Sequence, residues 1–309
     1  IKHPDNGKVI DMNESVRKET GIMDAQLKIY PIDGYGSPEL LRYLLTAEKP
    51  DAILHYTDPR FWEWLYQMEH EIRQHIPIFY YNIWDDLPYP MWNEPFYESC
   101  DLIMNISKQT VNIVNNVRRD VPTNKWNSTY IPHGINHKNF YPITKKQKEW
   151  GAMNEFRRTV TGGRDYDFIV FWNNRNIRRK LPGDVILAYK AFCDMLPKEK
   201  AEKCLLLMHT QPQDPNGTDL PAVVDAVCQD YDVIFSGKKL DDDKLRYLYN
   251  IADIQINMAS NEGFGLGTCE ALMCGTPISV TVTGGLQDQC GFKYKDKLLT
   301  YEDYSWVHS

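Results

Sequence analysis

Apolar positions in this chain form short β-branched or aromatic runs, separated by longer stretches with helical spacing. The runs predict strands at 27–32, 52–56, 76–81, 102–106, 129–131, 168–172, 205–208, 233–235, 254–256 and 278–282. The stretches between them predict helices at 37–47, 61–74, 93–98, 108–118, 147–156, 184–196, 220–229, 242–249 and 266–274. Ser37 and Ser107 stand where a hydroxyl can cap the following helix, and Pro38 suits a first helical position. Strand and helix alternate almost throughout, which is the order of an α/β fold built on parallel sheets. No repeat period spans the chain, so a solenoid is excluded.

Two interruptions divide the pattern. Residues 82–90 hold Pro88 and Pro90 and are too proline-rich for a regular element, while residues 143–166 are charged, polar and glycine-containing. The order predicts an N-terminal α/β domain at 1–142, a linker or insertion at 143–166, and a C-terminal α/β domain at 167–309. The chain starts at Ile1 without a methionine, and Asp303-Tyr304-Ser305-Trp306 completes no terminal helix. The fold is therefore expected to be incomplete at both ends.

Composition narrows the function. With 309 residues, 42% hydrophobic and 25% charged, the chain has enough apolar material for two ordinary domains. A formal charge of −7 removes any global attraction to nucleic acid, but Arg175, Arg178, Arg179 and Lys180 form a local basic patch that suits phosphate. The seven cysteines show no CxxC spacing and mostly sit in apolar surroundings, as reduced core residues do. No apolar run reaches the length of a membrane span. With no signal peptide in view, the glycosylation-like triplets at Asn13, Asn105, Asn127 and Asn216 carry little weight, and the expected location is cytoplasmic.

Several chemistries find no motif. Gly263-Phe264-Gly265-Leu266-Gly267 has its glycines at alternate positions and falls late in the chain, unlike a nicotinamide fingerprint. There is no GxxxxGK[ST] loop and no HExxH pair. Asp241-Asp242-Asp243 reads as the acidic start of a helix, and Asp85-Asp86 is too brief to specify magnesium, so no metal site is predicted.

The sharpest signal lies between residues 252 and 288: strand, glycine loop, short helix, strand. That order places the loop beyond a strand's carboxyl end and against a helix amino end, where a parallel sheet holds ligands. Glu262 in the loop and Glu270 in the helix are eight residues apart and could reach one bound molecule. Ionised carboxylates only accept hydrogen bonds, so the pair suits hydroxyl recognition better than a plain phosphate grip, while the backbone amides of Gly263 to Leu266 could supply donors.

Asn261 to Gly267, continuing through Glu270, Ala271, Gly275, Pro277 and Gly284-Gly285, resembles the donor-site signature of glycosyltransferase family 4. Residues 173–184 and 131–140 are similar to further segments of that family, and the Asn-Arg-Asn before the basic run resembles glycosyltransferases of large DNA viruses. The resemblance implies a GT-B fold, in which two Rossmann-like domains face an interdomain cleft. It implies a retaining transfer from a nucleotide diphosphate sugar, either a UDP-sugar or a GDP-sugar, to an acceptor hydroxyl on a glycan or glycoconjugate, with no further cofactor or metal required. Glu262 would contact the donor sugar, with Gly263, Phe264, Gly265 and Leu266 shaping its pocket. Glu270 would bind the ribose, Asn173 would stand in the nucleotide-binding set, and Arg175 and Lys180 would grip the diphosphate. Arg178 and Arg179 read as surface residues or secondary phosphate contacts.

The sequence departs from the family in its N-terminal half. Related enzymes often carry a histidine in the loop after the strand that matches 76–81, whereas this chain has Asn82, Asp85 and Asp86 there. Asp85 or Asp86 is the first choice for orienting the acceptor. His55 and Asp58 follow or end an earlier strand and are further acceptor-side candidates, and Trp62, Trp64, Trp84 and Trp92 could build an acceptor wall. His133 would hold the hinge or touch substrate. Two alternatives remain open on sequence: a nucleotide-sugar isomerase or epimerase of the same architecture, and a catalytically weak sugar-nucleotide binding protein.

Overall fold

A computed structural model gives the arrangement of residues 3–290 and 292–299. Ile1 and the stretch Asp303-Tyr304-Ser305-Trp306 lie outside the described residues. The chain has an α/β fold with parallel sheets, and its contacts divide it into two compact units. Among the described residues, one unit takes in those up to 82, 91–104 and 120–127; the other takes in 83–90, 105–119 and those from 128 onward.

In the first unit, Ile10–Asp11 (β1) pairs antiparallel with Lys28–Ile29 (β2). The strand expected at 27–32 is this short because Pro31 has no amide to continue the pairing. Helix Pro38–Glu48 begins as predicted, with the Ser37 side chain accepting from the Leu40 amide at 3.3 Å. Ile53–Tyr56 (β3) and Ile78–Asn82 (β4) pair in parallel, and Leu102–Asn105 (β5) follows β4 in the sheet. The single helix expected at 61–74 is instead a 3₁₀ turn, Pro59–Trp62, followed by helices Glu63–Gln67 and Glu69–Ile72. The break falls at Met68 and lets Leu65, Tyr66, Met68 and Ile72 all turn into the core.

That core is aromatic. The His55 ring stacks on Tyr80, its Nδ1 lies 2.5 Å from the Tyr66 hydroxyl, and burial pushes its pKa down to about 4. His55 is thus a buried, neutral core residue. Asp58 caps the 3₁₀ turn and pairs with Arg60 at 2.6 Å.

The second unit carries Ser128–Tyr130 (β6) and a five-stranded sheet: Phe168–Asn173 (β7), Cys204–His209 (β8), Asp232–Phe235 (β9), Ile254–Asn257 (β10) and Ile278–Val280 (β11). The order is β11-β10-β7-β8-β9, all parallel. Ile169, Val170, Phe171 and Trp172 of β7 and Leu205 to Met208 of β8 are all buried, as expected of central strands covered on both faces. The chain steps outward from β7 to β8 and β9, then returns to the other side of β7 for β10 and β11. The connections therefore diverge between β7 and β10, and the loops after these two strands border a crevice at the carboxyl edge of the sheet.

Residues 143–166, expected as a linker or insertion, pack into this unit. Ile143, Met153 of helix Trp150–Val160, and Tyr166 join the core cluster of Phe171, Leu205 and Tyr249. Arg246, 3% exposed, clamps the segment by donating to Glu149 at 2.6 Å and to the Asn139 carbonyl at 2.7 Å. Helix Gly284–Gln289 was not foreseen. It meets helix Lys108–Val117, where the Gly284 amide donates to Gln109 at 2.7 Å and the Lys108 amide donates to Asp288 at 2.9 Å.

Candidate functional site

The loops after β7 and β10 bring Lys180 and Glu262 together. Lys180 closes a 3₁₀ turn, Arg178–Lys180, just ahead of helix Pro182–Asp194, and is 6% exposed. Glu262 lies between β10 and helix Leu266–Met273 and is 8% exposed. The Lys180 ammonium donates to Glu262 Oε2, and Arg179 Nη1 donates to the same oxygen at 3.1 Å. Burial outweighs the pull of the Glu262 carboxylate and holds the Lys180 pKa below its usual value.

The aspartates after β4 join this group. Asp85 Oδ2 lies 3.6 Å from Arg179 Nη1, and Asn261 Nδ2 donates to Asp86 at 2.5 Å. Burial raises the Asp85 pKa, opposed by the neighbouring Arg179. Arg179, read from sequence as peripheral, is thus shared between the Asp85 and Glu262 carboxylates. Residue spacing gives no sign of this, because Asp85 and Arg179 meet only through tertiary packing.

Arg175 takes a different partner. Its guanidinium is exposed and pairs with Asp214 at 3.0 Å, on a loop that Asn176 fastens by donating to the carbonyls of Pro212 and Thr218. A cavity of about 510 Å³ opens beside this loop, lined by Arg178, Leu181, Pro182, Asp184 and Thr218 among others.

A second network holds Glu270. The Tyr249 hydroxyl donates to Glu270 Oε2 at 2.5 Å and accepts from Asn173 Nδ2 at 2.7 Å, which ties the end of β7 to the helix after the glycine loop. Burial raises the Glu270 pKa. Tyr249 was not singled out from sequence. Its place on a helix that reads as ordinary core gives no local signal.

Backbone geometry fixes the loop. Gly265 has φ +86°, in the left-handed region, and heads helix Leu266–Met273; Leu266 itself is exposed. Gly284 and Gly285 press on the other side: a Cβ on Gly285 would stand 2.4 Å from the Phe264 Cα, and the Gly285 amide donates to the Glu262 carbonyl at 3.0 Å. A Cβ on Gly263 would meet the Ile83 carbonyl at 3.3 Å. Phe264 is buried with its ring edge-on to His133 at 5.4 Å, and burial lowers the His133 pKa.

Among the described residues, no group of three or more His, Cys, Asp or Glu side chains is placed to hold a metal, and no helix is long and apolar enough to cross a membrane. All seven cysteines are free, and five are buried.

Comparison with curated protein sequences finds no significant match. Among solved structures, HepE of Anabaena in complex with UDP and glucose is 15% identical with a TM-score of 0.64, over 90% of this chain and 72% of that one. A glycosyltransferase from Rickettsia africae is 17% identical with a TM-score of 0.64, over 88% and 69%. Sucrose-phosphate synthase from Thermosynechococcus elongatus is 19% identical with a TM-score of 0.58, over 81% of this chain but only 60% of that chain's length. At these identities the likeness is one of fold. Residues 229–300, which hold Glu262, the glycine loop and Glu270, match the family described as glycosyl transferases group 1, on an α/β fold shared with GT-B glycosyltransferases.

Proposed function

We propose that the protein transfers a glycosyl group from a nucleoside diphosphate sugar to an acceptor hydroxyl. The observation that carries this reading is the buried meeting of Lys180 and Glu262 in the crevice between β7 and β10, inside the matched segment or directly opposite it. A cation and an acid side by side suit a ligand with a diphosphate at one end and hydroxyls at the other.

In this reading Lys180 exchanges Glu262 for the diphosphate, and Arg175 leaves the exposed Asp214 to join it. Both then stabilise the charge that gathers on the departing nucleotide. Glu262 accepts from sugar hydroxyls, while Glu270, held by Tyr249 and Asn173, accepts from the ribose. Gly263, Phe264, Gly265 and Leu266 shape the sugar pocket. The bond from the anomeric carbon to the phosphate oxygen breaks as the acceptor oxygen bonds to that carbon. The acceptor proton passes to the leaving phosphate oxygen on the same face, so the configuration is retained.

Asp85 and Asp86, which reach Arg179 and Asn261, orient the acceptor. Residues 1–142 form the acceptor side, 143–166 the connection, and 167–309 the donor side. The acceptor is a glycan or glycoconjugate and the donor a UDP- or GDP-sugar. HepE, a structural relative, has been crystallised with UDP-glucose, so that sugar nucleotide is the first to try.

The test is a panel of UDP- and GDP-sugars incubated with candidate acceptors, with the product anomer read by NMR. Transfer with the donor's configuration kept is the expected result. Product from donor alone would instead show an isomerase or epimerase, an inverted anomer would reject the stereochemistry, and binding without turnover would reject the enzyme.

A further inference from the structure

Arg179 makes more contacts across the crevice than either neighbour in the basic run, and most of them fall on the acidic loop. Its Nη1 donates to the Asn261 carbonyl at 2.7 Å and to Glu262 Oε2 at 3.1 Å, and its own carbonyl accepts from the Ser260 amide at 2.9 Å. Its second acid, Asp85, comes from a loop nearly a hundred residues earlier in the chain. Two cations therefore act on one Glu262 oxygen, and only one of them is nearly buried: the Lys180 side chain is 7% exposed and that of Arg179 is 44%.

This doubling has a consequence for ligand exchange. A diphosphate that draws Lys180 away would leave a lone, nearly buried carboxylate on Glu262, which is costly unless a second cation stays behind. Arg179, bonded to the backbone of the same loop, is that cation.

We propose that Arg179 is a positioning residue for the sugar end of the donor: it keeps Glu262 fixed and charge-compensated once Lys180 has turned to the diphosphate. The inference rests on the glycosyltransferase reading above. Its specific content is that Arg179 acts on recognition of the sugar, through Glu262, and not on the nucleotide.

The experiment compares Kd for UDP-glucose and for UDP by calorimetry in the wild type, Arg179→Gln, Arg179→Lys and Lys180→Ala. Where the wild type prefers a GDP-sugar, the same ratio is taken with that sugar and GDP. Arg179→Gln is expected to weaken the sugar nucleotide about tenfold while UDP changes by less than about twofold, the scale of one lost charge-assisted hydrogen bond. Arg179→Lys restores part of the difference, because it returns the charge without the forked geometry. Lys180→Ala weakens both ligands alike.

An equal loss of UDP and UDP-glucose affinity in Arg179→Gln would make Arg179 a phosphate contact or a purely structural residue and overturn the proposal, as would an unchanged ratio. Should Arg179→Gln fail to fold, the ratio is read in Arg179→Lys alone, and a wild-type ratio there overturns it. A wild type that transfers sugar normally while these ratios stay flat refutes only the Arg179 assignment. A wild type that binds no member of the donor panel refutes the glycosyltransferase reading and this inference together.

Discussion

Replacing Glu262 by Gln keeps the shape of the side chain and removes its charge. In the wild type the Lys180 ammonium is nearly buried and bonded to Glu262, with Asp85 as a more distant acid. Breaking a buried ion pair from one side costs about 3–5 kcal/mol. Because Asp85 still acts on Lys180 and Arg179 keeps the Asn261 carbonyl, the lower end, about 3 kcal/mol, is the expectation here. For a compact unit of this size each kcal/mol moves the melting temperature by about 2–4 °C, so Glu262→Gln should melt about 6–12 °C below wild type at pH 7.

Two features make the prediction specific. A lysine whose folded pKa lies below its unfolded value binds fewer protons in the folded state, so its contribution to stability rises with pH up to the unfolded value. Glu262 is a raising influence on Lys180, so its removal deepens the depression, and the Glu262→Gln deficit should shrink as pH rises from 7 toward 10. Lys180→Met should cost less, about 1–2 kcal/mol, because Glu262 keeps Arg179 as a partner. The double variant should then recover part of the Glu262→Gln loss, with a coupling of about 2 kcal/mol. Scanning calorimetry across pH measures all three. A Glu262→Gln protein that melts within about 1 °C of wild type, or a deficit independent of pH, would refute the buried pair.

Other perturbations have defined outcomes. Tyr249→Phe removes the hydroxyl between Asn173 and Glu270; it should cost about 1–2 kcal/mol in thermal unfolding and raise the donor KM more than it lowers kcat. Gly285→Ala places a Cβ 2.4 Å from the Phe264 backbone, which cannot move without carrying Glu262 with it, so transfer should fall at least about a hundredfold in a steady-state assay. Burial raises the Asp288 pKa from 3.8 to about 6, so its charged form opposes folding and stability is lost as pH rises through that interval. Asp288→Asn should therefore gain melting temperature relative to wild type between pH 4 and pH 7, and an offset constant with pH would contradict this.

Much of this fold was legible in the chain because its signals are local. Strands β7 and β8 declare themselves by buried apolar runs, β10 by two isoleucines two residues apart, and Ser37 and Ser107 cap their helices as their positions imply. The glycine loop with Glu262 and Glu270 is legible for the same reason: a strand, a turn and a helix amino end follow one another within thirty residues. What escaped depends on distant partners. Arg179 is one of three adjacent basic residues, and only packing against Asp85 and Asn261 distinguishes it from Arg178. Tyr249 links Asn173 to Glu270, and helix Gly284–Gln289 meets helix Lys108–Val117, partners that lie far off in the chain. Residues 143–166 read as a linker or insertion because their charges look solvated; in the structure Glu149 accepts from the buried Arg246. The break at Met68 reflects the demands of an aromatic core that helical spacing does not record.

In the proposed reading one crevice, between the loops after β7 and β10, receives a sugar nucleotide through Lys180 and Glu262. A crystal structure with whichever UDP- or GDP-sugar the protein turns over tests it most directly. The expected result is a diphosphate within hydrogen-bonding distance of Lys180, Glu262 turned from that ammonium to the sugar hydroxyls, and Glu270 at the ribose. A sugar nucleotide bound elsewhere, with the pairing of Lys180 and Glu262 intact, would contradict it.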